Sequence, residues 1–191
     1  MDNKIRCQWC VGNTIYEKYH DEEWGVAVYD DQRLFELLIL ETFQAGLSWI
    51  IILKKREHFR QGFDHFDYRK IAQYEEIKIQ ELMQNPGIVR HQLKIRSTVS
   101  NAAAFMKVQE EFGSFSNYIW RYTNGIPIVS HPKSINNISS TSTLSDSISK
   151  DLKKRGFKFV GSTVVYAYMQ AIGIVEEHIE NCWKIKNNLG L

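Results

Sequence analysis

The sequence contains little cysteine, little proline and little net charge. Its 191 residues include three cysteines and three prolines, and the formal charge at pH 7 is +2. Three cysteines argue against a disulfide framework, so a reduced or metal-bound state is more natural for these thiols. The scarcity of proline allows helices to run uninterrupted. Because the net charge is weak, any contact with nucleic acid depends on local clusters of basic residues.

Long apolar runs are also absent. The longest is "WIIIL" at 49–53, far short of the roughly 20 residues that span a bilayer, which excludes a membrane-spanning helix. The N-terminal "MDNKIRCQWC" is charged and lacks the apolar core of a secretory signal, so we predict a cytoplasmic protein. Because 43% of the residues are hydrophobic, the chain can bury the core of one ordinary domain or of two small lobes.

Apolar residues recur with helical spacing. One stripe is Ile95, Val99, Ala102 and Met106, and a second is Val165, Tyr168, Ile172 and Val175. The same spacing puts Glu41 on the apolar side of a helix with Leu34, Leu37 and Leu38, so we expect this carboxylate to face inward. No internal repeat and no period-two alternation is found, which predicts an all-α fold.

Helix starts and one irregular segment complete the predicted organisation. Asp67 is a plausible helix N-cap, and so is either Ser162 or Thr163 after Gly161. Residues 124–143 are rich in Ser and Asn and have no period, so they are predicted to form a loop. This loop either separates two lobes or crosses the surface.

Aromatic residues are abundant, at 13% of the chain, and five of them lie near Glu41 or near candidate metal ligands. These five are Trp9, Tyr16, Tyr19, Trp24 and Trp49. One interpretation is that each ring belongs to the core. The other is a box of π faces around one inward acid, which suits a flat, cationic ligand. A buried carboxylate without a partner takes up a proton, whereas a cationic ligand with hydrogen-bond donors would keep it ionised.

Cysteine and histidine residues near both ends of the chain suggest a metal site. His178 and Cys182 are one helical turn apart, and Cys7, Cys10 and His20 lie near the N-terminus. A tetrahedral zinc could join the two ends. Spacing alone does not choose between a Cys7–Cys10 pair and a set that includes His20. The alternative is that these residues are ordinary buried cysteines and histidines.

Four separated motifs carry a resemblance to a known family. They are "YHDEEWGV", "ETFQAGLSWIIILKKRE", "NPGIVRHQLKI" and "DLKKRGFKFVG", in that order along the chain. Together they closely resemble the bacterial 3-methyladenine DNA glycosylase I family. The similarity spans nearly the whole chain and is weakest over 124–143.

The resemblance implies a fold, an activity and a set of site residues. It implies one all-α domain over residues 1–191, with a helix-hairpin-helix glycosylase fold and a structural zinc that joins the two ends. It implies a monofunctional enzyme that hydrolyses the N-glycosidic bond of 3-methyladenine in alkylated double-stranded DNA. The implied zinc ligands are Cys7, His20, His178 and Cys182, with Cys10 spare. The implied base pocket is Trp9, Tyr16, Tyr19, Trp24, Glu41 and Trp49.

The residues also suggest how the protein would hold DNA. In "NPGIVRH", Pro86 and Gly87 permit a tight turn whose backbone amides could bind a phosphate, with Arg90 and Lys94 nearby. The basic stretches 53–57 and 153–159 are further phosphate candidates. Leu47 is a candidate wedge for the gap left by a flipped base. The alternatives are an ordinary helix-helix turn with solvated basic residues, and a buried Leu47 at a helix start.

Three residues need separate interpretation. Phe43 stands where a polar residue is expected in many relatives, so it lies either on the pocket rim or in the core behind the helix. Glu110 and Glu111 follow the hairpin, but we interpret them as a solvated helix end without a catalytic role.

The rival functions are a zinc-stapled reader of modified or single-stranded DNA that does no chemistry, and a helical interaction domain with no affinity for DNA. Nothing in the sequence requires more than a monomer.

Overall fold

The computed structural model describes residues 4–188 and is mostly helical. Ten α-helices are present in the described part of the chain, with four short 3-10 turns and two two-residue strands. In chain order the helices are α1 (Thr14–Glu22), α2 (Asp31–Gln44), α3 (Trp49–Gly62), α4 (Tyr68–Ile71), α5 (Glu76–Gln84), α6 (Gln92–Phe112), α7 (Phe115–Trp120), α8 (Thr143–Lys154), α9 (Ser162–Ala171) and α10 (Trp183–Asn188).

Helix α2 forms the centre of the core. Its start is fixed by Asp30, whose carboxylate accepts a hydrogen bond from the Arg33 backbone N–H. Every residue from 34 to 43 is buried, because α3, α6, α7 and α9 all pack against this helix. A helix covered on all sides buries its charged residues together with its apolar ones. Glu36 and Glu41 are therefore both held inside the protein.

Several predicted local features are confirmed. Ile95 and Ala102 are buried, and Val99 and Met106 are half-buried along the 21-residue helix α6. The Asp67 carboxylate accepts hydrogen bonds from two backbone N–H groups at the start of α4. The predicted 124–143 loop is a largely exposed segment that contains a 3-10 turn at Ile135–Asn137 but no α-helix before its last residue, Thr143, where α8 begins.

The all-α prediction needs one small correction. Strands β1 (Ile128–Val129) and β2 (Val175–Glu176) form a short parallel pair in which Ile128 lies opposite Val175. Val175 is buried as predicted but belongs to a strand, because α9 ends at Ala171. Gly173 turns the chain there with φ +74°, and a Cβ at this position would lie 2.4 Å from the backbone of Val26. No other residue would fit this close approach.

The predicted side-chain cap of α9 is wrong. Gly161 occupies the N-cap position, and neither Ser162 nor Thr163 caps the helix, because both belong to its first turn. The Ser162 hydroxyl instead hydrogen-bonds to the hydroxyl of Ser145, at 2.8 Å. Across residues 4–188, none of the helices has the length and apolar character needed to cross a membrane.

Candidate ligand pocket and metal cluster

The side chains around Glu41 enclose a cavity of about 270 Å³. This volume is near the small end of the range for ligand sites, about 300–1,000 Å³. The cavity is lined by Trp9, Tyr16, Tyr19, Trp24, Glu41, Gln44, Trp49, Ile135, Ile138, Ala167 and Gln170. All six residues that the sequence predicted for a base pocket are therefore brought together around one space.

The aromatic rings of the cavity pack against one another in edge-to-face and tilted pairs. The centroid of the Trp9 ring lies 5.3 Å from that of Tyr16 and 5.2 Å from that of Trp24. On the other side, Tyr19 and Trp49 are 5.5 Å apart. Edge-to-face contacts fix each ring against its neighbour. The walls are thus aromatic and mutually supported, which suits a flat ligand that stacks.

Glu41 is the acid of this cavity and has no hydrogen-bond partner in the described part of the chain. Its side chain is 3% exposed, and Oε2 has no hydrogen-bond partner among the described residues. Burial raises the pKa of the Glu41 carboxyl to about 8, because a charged carboxylate is poorly solvated there. The indole N–H of Trp49 is also buried and unpartnered within the described chain. The cavity therefore offers one acceptor and one donor that a ligand can satisfy.

Tyr16 and Tyr19 contribute hydroxyl groups held in different ways. The Tyr16 hydroxyl accepts a hydrogen bond from the Ile50 backbone N–H at 2.9 Å, which joins α1 to the first turn of α3. Burial raises the pKa of both phenols, and the negative charge of Glu41 adds to the effect. Both hydroxyls are consequently neutral near pH 7 and are able to donate.

Five cavity residues were missed by the sequence analysis. Gln44 follows Glu41 by three residues on α2, so helical spacing alone would have found it. Ala167 and Gln170 share a face of α9 by the same rule. Ile135 and Ile138 belong to the irregular 124–143 segment, whose aperiodic sequence gives no such signal.

Beside the cavity, four buried side chains form a compact cluster of metal-binding groups. They are Cys7, His20, His178 and Cys182, and their ligand atoms all lie within 4.8 Å of one another. His178 Nδ1 is 3.2 Å from His20 Nε2, and it is 3.7 Å from Cys7 Sγ and 3.6 Å from Cys182 Sγ. These are the four ligands that the resemblance implied.

The spacing of these atoms fits a tetrahedral metal ion. Bonds of about 2.0–2.3 Å to a central zinc would place neighbouring ligand atoms about 3.3–3.8 Å apart. Four of the six pairs of ligand atoms are 3.2–3.7 Å apart, and all six are within 4.8 Å. Asp21 supports His20 from behind, because its carboxylate lies 2.8 Å from His20 Nδ1, as carboxylates do behind metal-bound histidines. Arg6 and the Trp183 indole hydrogen-bond to the same carboxylate.

Cys10 lies outside the cluster. Its Sγ donates a hydrogen bond to the backbone carbonyl of Cys7 at 3.0 Å, and burial raises the pKa of its thiol to about 12. The structure therefore brings together the set with both histidines and leaves Cys10 outside it.

The cluster and the cavity share a wall. The Trp24 ring centroid lies 4.7 Å from that of His178, and the Trp9 centroid lies 5.5 Å from that of His20. Fixing the two histidines therefore also fixes two of the cavity rings.

The turn between α5 and α6, residues 85–91, has the tight geometry that its sequence predicts. A Cβ on Gly87 would lie 2.7 Å from atoms of the His58 side chain, so only glycine fits. The Gly87 N–H donates to Asn85 Oδ1 at 2.8 Å and is thus already used within the turn. Arg90 is exposed, and its side chain makes no hydrogen bond to the described residues.

The structure corrects the prediction that Lys94 contacts DNA. Its side chain is 5% exposed, and the ammonium donates to the carbonyls of Phe43 at 3.0 Å and Ala45 at 2.7 Å. Burial lowers the pKa of Lys94, but these carbonyls at the C-terminal end of α2 compensate a positive charge. Lys94 therefore holds the end of α2 to α6. Its position next to a basic turn in the sequence did not reveal its burial.

The structure also places the other residues that the sequence analysis singled out, which are Leu47, Phe43, Glu110 and Glu111. Leu47 is 38% exposed on the connection between α2 and α3, which leaves it available as a wedge. Phe43 is fully buried against Phe59 and Phe63, so it belongs to the core behind the helix. Glu110 and Glu111 are exposed at the end of α6, and Glu111 pairs with Arg155 at 2.6 Å.

The fold is helical, and its small aromatic cavity holds one buried acid beside a two-cysteine, two-histidine cluster. A site of this kind suits a flat heterocyclic ligand. Comparison with known families then assigns the chain. Residues 9–185 match the methyladenine glycosylase family model, and the chain belongs to this family.

Relatives and solved structures agree with this assignment. The chain is 44% identical over 177 residues to a DNA-3-methyladenine glycosylase from Haemophilus influenzae, covering 93% of this chain and 96% of the relative. It is 43% identical to DNA-3-methyladenine glycosylase 1 from Escherichia coli, covering 93% and 95%. A crystal structure of 3-methyladenine DNA glycosylase I superposes with a TM-score of 0.90 at 44% identity, covering 94% and 98% of the two chains. A Staphylococcus aureus structure that addresses 3-methyladenine recognition superposes equally well at 36% identity, covering 93% and 95%.

Proposed function

We propose that this protein excises 3-methyladenine from alkylated DNA by hydrolysing the N-glycosidic bond, the first step of base excision repair. Its close relatives are glycosylases of this specificity. The observation that carries the proposal for this chain is Glu41, a buried carboxyl without a protein partner in an aromatic cavity. A flipped base entering this cavity would supply the missing partner.

The charge of the damaged base explains how Glu41 would select it. Methylation at N3 makes the base cationic, so the rings of the cavity attract its face. The approaching cation would lower the pKa of the Glu41 carboxyl from about 8, since an opposite charge favours the ionised form. Glu41 would then accept hydrogen bonds from the adenine edge. Unmodified adenine is neutral and would leave the carboxyl protonated, which makes its binding weaker.

The same charge reduces the need for acid catalysis. A cationic base is already a good leaving group, whereas ordinary glycosidases use two carboxyl groups around the bond. Among the described residues that line the cavity, Glu41 is the only acid. We therefore propose that Glu41 acts by recognising and stabilising the departing base, and that water attacks the sugar without a second carboxylate.

The four-residue cluster is proposed to hold a structural zinc. Two thiolates and two imidazoles form a closed tetrahedral ligand set, the type typical of structural rather than catalytic zinc. When bound, the ion would link the N-terminal segment and α1 to the segment before α10. Elemental analysis of the purified protein should find about one zinc per chain. Chelation should lower the melting temperature, and protein without metal that melts unchanged would contradict the proposal.

Contacts with DNA are proposed at two places. We interpret α5, the 85–91 turn and α6 as the helix-hairpin-helix unit, in which Arg90 and the free amides of the turn would bind a phosphate. Leu47 is proposed to fill the gap that the flipped base leaves. A Leu47→Ala enzyme should lose activity on duplex DNA and keep it on denatured DNA, where no stack needs to be opened. A monomeric state and a cytoplasmic location stay predictions.

The experiment that tests the function is base release under multiple turnover. Methylated duplex DNA is incubated with a small amount of protein, and released bases are separated chromatographically. Free 3-methyladenine in molar excess over the protein is the expected result. A reader of modified DNA that does no chemistry would bind the same DNA and release no base, and that outcome would overturn the proposal.

A further inference from the structure

Residues 157–160, here called the 157–160 loop, are exposed at their centre but fixed from inside the protein. Phe157 and Val160 are buried, whereas Lys158 and Phe159 between them are exposed. The buried amide of Asn101 accepts a hydrogen bond from the Lys158 N–H at 2.8 Å and donates to the Lys158 carbonyl at 3.2 Å. Because both bonds go to the backbone, the Lys158 side chain stays free to bind a partner.

Phe159 has an unusual backbone conformation for its residue type. Its φ is +57°, in the left-handed region that bulky residues seldom adopt. Its ring is 37% exposed, so burial does not account for the strain. Backbone strain of this kind is often found at active sites and ligand-binding sites. The loop thus presents an exposed aromatic ring next to an exposed lysine.

The 157–160 loop lies beside the 85–91 turn. The Phe159 ring meets the ring of His91, with centroids 6.2 Å apart, and His91 follows the exposed Arg90 directly. Residues 85–94 and 153–161 contain no Asp or Glu. Arg90 and Lys158 form no ion pair within the described chain. The turn and the loop therefore make one surface of positive charge without a neutralising acid of their own.

We propose that the 157–160 loop extends the DNA contact of the 85–91 turn along one strand of the duplex. Lys158 would pair with a backbone phosphate, and the Phe159 ring would lie against the neighbouring deoxyribose. Charge complementarity favours a phosphodiester backbone as the occupant, and the exposed ring suits the apolar face of a sugar. This inference rests on the proposed function, because it assumes that the protein binds DNA.

The two side chains should leave different signatures in a DNA-binding measurement. The probe is a fluorescent duplex that carries a tetrahydrofuran abasic analogue, titrated by anisotropy between about 50 and 200 mM salt. Lys158→Ala should weaken binding on the order of fivefold at low salt and reduce the slope of log Kd against log salt by about 0.9, one phosphate contact. Phe159→Gly should weaken binding without changing that slope. Glycine accepts the left-handed backbone, so this variant keeps the loop conformation.

Lys107→Ala is the matched control. Lys107 is another exposed lysine, and it lies on α6 about 20 Å along the helix from the 85–91 turn. It should bind DNA like the wild type. All variants should melt at the wild-type temperature and bind free 3-methyladenine equally well, which separates the loop from the pocket. If Lys158→Ala and Phe159→Gly bind like Lys107→Ala, the inference is wrong. If the wild type itself shows no salt-dependent binding, it is the proposed function that fails.

Discussion

Helix α2 carries two buried glutamates with opposite surroundings. Glu36 is 8% exposed and is held by Arg33 at 2.7 Å and Arg60 at 2.9 Å. Glu41 lies five residues further along, is 3% exposed and has no hydrogen-bond partner for its Oε2 among the described residues. The two residues share a residue type, a helix and nearly the same burial. They differ only in whether the protein itself provides the compensating charge.

The difference shows which of the two acids is available to a ligand. A buried carboxylate with two arginines is compensated within the fold and gains little from a further cation. A buried carboxylate without a partner is costly to ionise, which is why the pKa of Glu41 is raised to about 8. At neutral pH, Glu41 therefore lowers the free energy of unfolding of the protein. Such a group is expected at a site whose partner arrives from outside.

Neutralising Glu41 and Glu36 in turn should give the largest difference between the two acids. Glu41→Gln should lower kcat/KM for 3-methyladenine release on the order of 100-fold, because it removes a buried charge that opposes the cationic base. Glu36→Gln should stay close to the wild type in this assay, since Glu36 faces arginines rather than the cavity. Circular dichroism spectra of both variants should match that of the wild type, which controls for loss of the fold. Equal losses in the two variants would show that the unpartnered acid has no special role.

The second test is the contribution of Glu41 to the pH dependence of stability. Its pKa is about 8 in the folded protein against an ordinary value of 4.5. Between these values the folded state holds a proton that the unfolded state has lost, so stability falls as pH rises, by about 1.4 kcal/mol per pH unit at most. Denaturant unfolding from pH 4.5 to 8 should show wild type losing stability relative to Glu41→Gln, with no further divergence above pH 8. Parallel pH profiles would contradict the raised pKa.

The third test concerns the compensated acid. Glu36→Gln removes the charge that holds Arg33 and Arg60, whose side chains are 25% and 31% exposed. We expect a loss of about 1 kcal/mol in the free energy of unfolding, because partly exposed ion pairs contribute modestly. Denaturant unfolding at pH 7 measures it. Glu41→Gln at the same pH should stabilise the protein, so the two variants should move in opposite directions.

The sequence predicted that Glu41 is buried, but it did not predict that Glu36 has charged partners and Glu41 has none. Helical spacing placed Glu41 inward because α2 is long and regularly apolar, and that prediction is confirmed. Spacing gave no means to tell Glu36 from Glu41, because Arg60, one of the partners of Glu36, comes from α3, 24 residues along the chain. Which arginine reaches which acid is decided by helix packing, and helix packing is not encoded in local periodicity.

The cysteine–histidine cluster and the residues predicted to contact DNA show the same limit. Two residues of the cluster, Cys7 and His178, are 171 residues apart, so only the resemblance chose Cys7 over Cys10. Lys94 looked like a DNA contact because it follows a basic turn, yet the fold turns its ammonium to the end of α2. Ile135 and Ile138 could not be predicted, because an aperiodic segment reaches the cavity only through tertiary contacts.

The smallest expected effect comes from removing one of the two arginines of Glu36. Arg60→Ala leaves Arg33 in place at 2.7 Å, so Glu36 keeps one charged partner, and the loss should be about 0.5 kcal/mol. Excision activity should not change. The double variant Glu36→Gln, Arg60→Ala should then be no less stable than Glu36→Gln alone, because the arginine has lost its partner. If Arg60→Ala alone destabilises as much as Glu36→Gln, a single arginine provides the whole compensation. Loss of that one ion pair would then leave Glu36 buried without a compensating charge, as Glu41 is.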